Sequence, residues 1–313
     1  MSVPNPHLLP SRRTVVCAGL ALPGMLFSQS TPDRLAAMRQ QMAAAPLKTL
    51  KLSDNINMLY GPGGNMAALS GPDGHVLVDS SVAAVAAKIL ETLRGFADKP
   101  LRVLINTHWH FDHTDGNGAL HEAGALIIAH ENTRKRLSTP QEIKFMGLHF
   151  DPSPDSFLPQ QTFRDSHELF FNKETMALGH FAPAHTDTDI YIHYRNANVL
   201  HVGDLWFNGV YPLIDGTSGG NIGGMVAAAD VALKLADSQT KIIPGHGPLG
   251  DKAALERYRD MLATVRDRVS KLKREGKSLE ESIAAKPTAD LDATWNKGGI
   301  KADQFVTLAY TTL

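Results

Sequence analysis

The chain has 313 residues, 20% of them charged and 43% hydrophobic, with a formal net charge of −1. That is an ordinary globular composition, long enough to bury a substantial core. The near-neutral charge balance, without a basic cluster, argues against a nucleic-acid partner. No run of eighteen apolar residues occurs, so stable membrane insertion through a helix is not expected either.

In chain order, "SRRTVV" is followed by the short apolar stretch "CAGLALPGMLF" and the small polar residues "SQS". This layout resembles a bacterial twin-arginine signal peptide over residues 1–30 and predicts a periplasmic or secreted protein. Cys17 is the one cysteine and falls inside that segment, so residues 31–313 offer no disulfide, thiolate ligand or cysteine nucleophile. Residues 31–46 read as a short helix or tether. From Leu47 the pattern becomes short strands, "LKTLKL", "INMLYG", "NMAALSG" and "HVLVDSS", divided by the turn signals "SDN", "PGG" and "PDG". Residues 82–96 have amphipathic helical spacing, and "LRVLIN" (101–106) reads as a buried strand that runs directly into "THWHFDH".

Residues 140–159 look like a long irregular insertion, a candidate flap carrying His149. Beyond it "ETMALGHF", "DIYIHY" and "NVLHVGD" are strand-like, and the Gly-rich "DGTSGGNIGG" opens a helical segment. The strand "KIIPGHG" follows. Residues 252–273 then place Leu255, Tyr258, Met261, Leu262, Val265, Val269 and Leu272 on one helical face. Strands alternating with helices in both halves suggest an α/β (α+β) chain of sheets covered by helices, a four-layer αββα sandwich being one solution. No linker divides residues 31–313, which are expected to form a single domain.

Zinc takes imidazole and carboxylate ligands, and catalytic sites keep one position for water. In H-x-H-x-D-H, His108 and His110 can point the same way along an extended segment, while Asp112 and His113 turn a second pair toward a neighbouring ion. Four ligands from one loop cannot complete two coordination spheres. Three later strand-end positions offer the remainder: His185 in "APAHTDTD", Asp204 in "HVGDLW" and His246 in "PGHG". The remaining histidines occur singly and read as core or surface residues, His149 in the insertion excepted.

With these motifs in this order, residues 47–313 resemble the metallo-β-lactamase-fold hydrolase superfamily. The resemblance implies the four-layer fold and two zinc ions per chain, with Fe or Mn as the other metals such ligands accept. It assigns His108, His110 and His185 to one metal, Asp112, His113 and His246 to the other, and Asp204 to a bridging position. It further implies a metal-bridging hydroxide attacking a small-molecule substrate, with Asp112 and Asp204 both ligating and orienting it.

Lactamases of the main clinical type carry cysteine where this chain has Asp204 and lysine where it has Phe207, so lactam hydrolysis is expected to be weak. Asp204 looks instead like the glyoxalase II and lactonase branches. "GPGGNMAAL", "THWHFDHTDGN", "FNGVYPLIDGTSGGNIGG", "IIPGHGPL" and "LDATWNKGGIKADQFV" together resemble exported bacterial hydrolases of the superfamily. Asn208 and Tyr211, just after Asp204, are candidates for touching substrate or oxyanion, and the "GPGG" hairpin (61–64) for reaching over the metals. The expectation is thus an exported zinc-dependent hydrolase of an ester, lactone, thioester or amide. The alternatives are a β-lactamase, a mononuclear iron persulfide dioxygenase using His108, His185 and Asp204, and a metal-binding scaffold without turnover.

Overall fold

The structure, a computed structural model, describes residues 31–313; the signal-like segment and Cys17 lie outside the described residues. Helix α1 (Thr31–Ala44) precedes an antiparallel meander of β1 (Lys48–Lys51), β2 (Ile56–Tyr60), β3 (Met66–Gly71) and β4 (Gly74–Val78). Helix α2 (Ala86–Phe96) then crosses back to β5 (Leu101–Ile105), which runs parallel to β4. Two short helices, α3 (Phe111–Thr114) and α4 (Asn117–Glu122), lead to β6 (Leu126–His130), and α5 (Glu131–Leu137) follows. The hairpin β7 (Gln141–Ile143) and β8 (Leu148–Phe150) precedes β9 (Gln161–Phe163), the last strand of a seven-stranded sheet ordered β1-β2-β3-β4-β5-β6-β9.

The second half begins with the antiparallel run β10 (Ser166–Phe171), β11 (Glu174–His180), β12 (Ile190–Tyr194) and β13 (Val199–His201). Helix α6 (Ile222–Leu235) carries the chain over to β14 (Lys241–Ile243), parallel to β13, completing a five-stranded sheet. Helices α7 (Lys252–Arg274), α8 (Leu279–Ala284), α9 (Asp292–Trp295) and α10 (Ala302–Thr311) finish the chain. Among the described residues no helix is long and apolar enough to cross a membrane.

Side-chain alternation along the strands sorts the apolar residues into three cores, which is what four layers require. Ala67, Leu69, Val76, Val78, Val103 and Ile105 face Leu178, Ile190, Ile192 and Ile243 between the two sheets. Their neighbours Met66, Ala68, Leu77 and Leu104 point the other way, against Ile89 and Leu93 of α2 and Leu35 and Met38 of α1. Leu200 and Ile242 of the second sheet face Met225 of α6, Leu262 and Val265 of α7, and Phe305 of α10. The sandwich is therefore α, β, β, α. Six of the seven apolar residues expected along α7 are buried, and Leu272 is partly exposed at its end.

Residues 140–159 differ from the expected irregular flap. They form a small hairpin and two short helical turns, because Phe150 wedges against Trp109 and Phe111 at 5.5 and 5.9 Å between ring centres. Lys144 N also donates to Thr217 Oγ1 at 3.2 Å, tying the hairpin to the Gly-rich turn. The C-terminal helix belongs to the fold in the same sense: Phe305 is fully buried and stacks on Tyr211 at 4.7 Å. Phe305→Ala should cost about 3–5 kcal/mol of unfolding free energy in a denaturant titration while leaving metal content unchanged.

Candidate metal centre

The strand ends converge along one edge of the sandwich. Buried β5 ends at Ile105 and delivers His108; His110 then adopts an extended backbone as the residue preceding α3, whose single turn carries Asp112 and His113. His185 lies in the loop after β11, Asp204 in a short turn after β13, and His246 just beyond β14. Their ligand atoms fall into two groups, each within 4.8 Å: His108, His110, His185 and Asp204 in one, Asp112, His113 and His246 in the other.

Asp204 faces both groups. Its Oδ1 lies 3.1 Å from His113 Nε2, while Oδ2 lies 3.5 Å from His185 Nε2 and 3.3 Å from His246 Nε2. Asp112 Oδ2 is 3.3 Å from His246 Nε2 and 3.7 Å from His113 Nε2, and His110 Nδ1 is 2.9 Å from His185 Nε2. Separations of this size match the edge of a tetrahedron built on bonds of about 2.0–2.1 Å, roughly 3.3 Å. His108 Nε2, His113 Nε2 and Asp204 Oδ1 are buried without a hydrogen-bond partner, which in a protein interior calls for another ligand. The donor set therefore fits divalent cations.

Each of four rings is held through its other nitrogen. His113 Nδ1 pairs with Asp79 Oδ2 at 2.7 Å, His110 Nε2 with Asp215 Oδ2 at 3.1 Å, and His185 Nδ1 with the Leu213 carbonyl at 2.9 Å. His108 Nδ1 meets Thr107 Oγ1 at 3.0 Å, and that hydroxyl donates onward to Asp79 Oδ2 at 2.7 Å. Such partners fix the tautomer and aim of a ligating imidazole. Asp79 takes a left-handed backbone (φ 63°), a conformation that costs a non-glycine residue energy and recurs at functional sites. Asp189 accepts from His185 N and Thr186 N at 2.7 and 2.9 Å, folding "HTDTD" into the turn that presents His185.

Glycines set how closely the surrounding chain approaches. A Cβ on Gly64 would lie 2.1 Å from the His113 ring, and one on Gly63 would lie 2.7 Å from the Asp112 carbonyl. The 61–64 hairpin thus lies with its backbone flat against the second group. Asn65 pins it there by donating to the carbonyls of Pro244 and Gly247, each at 2.9 Å.

Two of the residues expected to face substrate do something else. Tyr211 is buried, its hydroxyl donating to Asp292 Oδ1 at 2.8 Å, because its backbone N–H is drawn to Trp295 O and its ring to Phe305. Asn208 Nδ2 donates to Pro248 O at 2.8 Å, clamping the loop that carries His246. His149 is exposed on β8 and lines a cavity of about 430 Å³ with Arg39 and Asp115, to which none of the seven cluster residues contributes. Asp79, Thr107, Asp189 and Asp215 went unread; the available signal for Asp79 was an acid directly after the apolar run of Val76, Leu77 and Val78.

Burial and neighbouring charge divide the histidines. Burial, with His113 beside it, holds His108 well below the usual imidazole range, and burial with His110 lowers His185 to about 4, leaving both neutral as ligands must be. Burial also opposes charge on His113 and His246, but the carboxylates outweigh it. Asp204 and Asp79 raise His113 well above its ordinary value, and Asp204 with Asp112 raises His246 to about 9.

The family profile described as the metallo-beta-lactamase superfamily matches residues 59–250, more than half of the chain, a span that includes all seven residues of the cluster. The chain belongs to the metallo-β-lactamase superfamily. It is similar to a probable metallo-hydrolase of Methanocaldococcus jannaschii, 25% identical over 201 residues that span 62% of this chain and 93% of the relative. Among solved structures it resembles a metallo-beta-lactamase from Pontibacter korlensis, with a TM-score of 0.57 and 18% identity, over 70% of this chain and 99% of that one. It also resembles the sec-alkylsulfatase Pisa1 from Pseudomonas sp., with a TM-score of 0.61 and 17% identity, over 91% of this chain and 53% of that one. At these identities the structural likenesses speak for the fold alone. The chain is a superfamily hydrolase with a His/Asp cluster that can hold divalent metal.

Two predictions follow from the outer partners and the charges. Asp79→Asn should weaken metal affinity about 10–100-fold by releasing His113 and, through Thr107, His108, as read by competition with a chelator. His113 and His246 must also shed a proton to ligate, so metal uptake at neutral pH should release protons. Apparent affinity should accordingly climb with pH to about 9, which calorimetry in buffers of different ionisation enthalpy measures directly.

Proposed function

We propose that this chain is an exported di-zinc hydrolase that cleaves an ester, lactone, thioester or amide bond. The observation that carries the reading is the shared carboxylate, Asp204, which lies against histidines of both ligand groups, Oδ1 beside His113 and Oδ2 beside His185 and His246. Two adjoining sets of nitrogen and oxygen donors suit a pair of zinc ions, although iron and manganese accept the same ligands. Zinc held there would lower the pKa of a water toward neutrality and polarise the scissile carbonyl.

The chain's own groups supply the remainder. Asp112 is the more exposed of the two cluster carboxylates, 11% against 4% for Asp204, so its Oδ2 is placed to orient an entering water and take its proton. His110 and His185, held by Asp215 and the Leu213 carbonyl, keep their aim while charge develops. The flat Gly63–Gly64 backbone covers Asp112 and His113 and narrows solvent access from that side. Export rests on Arg12 and Arg13 and the apolar stretch after them, a route that carries folded, metal-loaded protein.

An oxygenase with one iron would use His108, His185 and Asp204, and metal content with oxygen uptake separates it from the hydrolase. The test is removal of metal by chelation, reconstitution with zinc, and a screen of lactams, lactones, aryl esters and thioesters. Two zinc ions per chain and chelator-sensitive hydrolysis are expected, with lactams among the poorer substrates. His110→Ala should lose metal and turnover together. One iron per chain with oxygen uptake on persulfides, or full activity with two metals in His110→Ala, would overturn the reading.

A further inference from the structure

We infer that Phe207 determines specificity at this centre, selecting substrates whose acyl part ends in an apolar or aromatic group rather than a carboxylate. The inference rests on the hydrolase reading above and concerns what the site admits. Phe207 follows Asp204 by three residues and is half-exposed, whereas the intervening Leu205 and Trp206 are fully buried. Its ring stacks on His246 at 5.1 Å and 20°, and it lies tilted against His185 at 5.7 Å. One side chain therefore borders a ligand from each group.

Its position is fixed by the backbone. Phe207 forms a parallel bridge with His246, and Asn208 N donates to His246 O at 2.9 Å. The backbone that carries the ring is thus tied to that of a cluster residue. Gly63 and Gly64, against Asp112 and His113, leave no room for a side chain of their own. Among the described residues the ion pairs of Asp112 and Asp204 are all to histidines, with no Lys or Arg among their partners. An aromatic face beside the reacting centre gains from covering by another apolar surface, whereas an unpaired carboxylate against it loses hydration.

Two acids with the same head and different tails separate these cases without turnover. Phenylacetate and glutarate each present one carboxylate to the centre; the first ends in a ring and the second in another carboxylate. In calorimetric titrations of the metal-replete protein, phenylacetate should bind about 10-fold more tightly than glutarate. Phe207→Ala should bring that ratio close to one, Phe207→Leu should keep part of it, and Phe207→Lys should turn it toward glutarate. Matched phenylacetyl and glutaryl esters should show the same order in kcat/KM, with the loss in Phe207→Ala falling on KM.

Equal binding of the two acids by the unaltered protein overturns the inference. An unchanged ratio in Phe207→Leu and Phe207→Lys does so as well, and those variants carry the test if Phe207→Ala fails to fold. Should the binding preference and its loss be found while every ester stays intact, the hydrolase reading fails and the role of Phe207 stands. Hydrolysis with a ratio indifferent to residue 207 gives the converse.

Discussion

The Asp79 carboxylate is the constraint on which the centre depends. It accepts from the Thr107 backbone and hydroxyl and meets His113, so a single residue at the end of β4 sets the exit of β5 and two of its imidazoles. A carboxylate taken out of water is costly unless several donors meet it, and three do so here. Its left-handed backbone is the conformational cost of placing that carboxylate beneath the loop. Thr107 and His108 then emerge in one orientation, and beyond His110 a four-residue helical turn carries Asp112 and His113.

The other group is organised differently. His110 and His185 are aimed by Asp215 and the Leu213 carbonyl, both from the segment after the turn that holds Asp204. Ser218 Oγ donates to Asp215 and accepts from Trp109 Nε1, so this segment also grips the residue between the first two histidines. Loops and turns that leave the strands supply the ligands, and the end of β4 with the 213–218 connection supplies the outer hydrogen bonds. That division is common where loops carry function on a fixed scaffold.

Much of this was legible in the sequence, for identifiable reasons. Buried strands such as β4 and β5 have continuous apolar runs, α7 has a clean helical face, and ligands at strand ends are exposed by their residue types. What stayed hidden depends on contacts distant in sequence. Asp79 looks like any acid beginning a turn until β4 and β5 pair, and Asp215 looks like turn chemistry until His110 arrives from 105 residues away. Proximity to Asp204 suggested Asn208 and Tyr211, but Pro248 O takes the Asn208 amide and the C-terminal helices capture Tyr211. Strand β10 was missed because its Ser-His-Glu-Leu-Phe-Phe run lies at a sheet edge, where no residue is fully buried.

The two sheets contribute to the centre in nearly equal measure. His108, His110, Asp112 and His113 come from the first, and His185, Asp204 and His246 from the second. Each of the two ligand groups draws on both halves, and neither is completed by one alone. A bound cation is therefore a clasp across the seam, and its grip is available only to a chain whose halves have already closed on one another. Occupancy would report closure of the two sheets on one another rather than the stability of any one core.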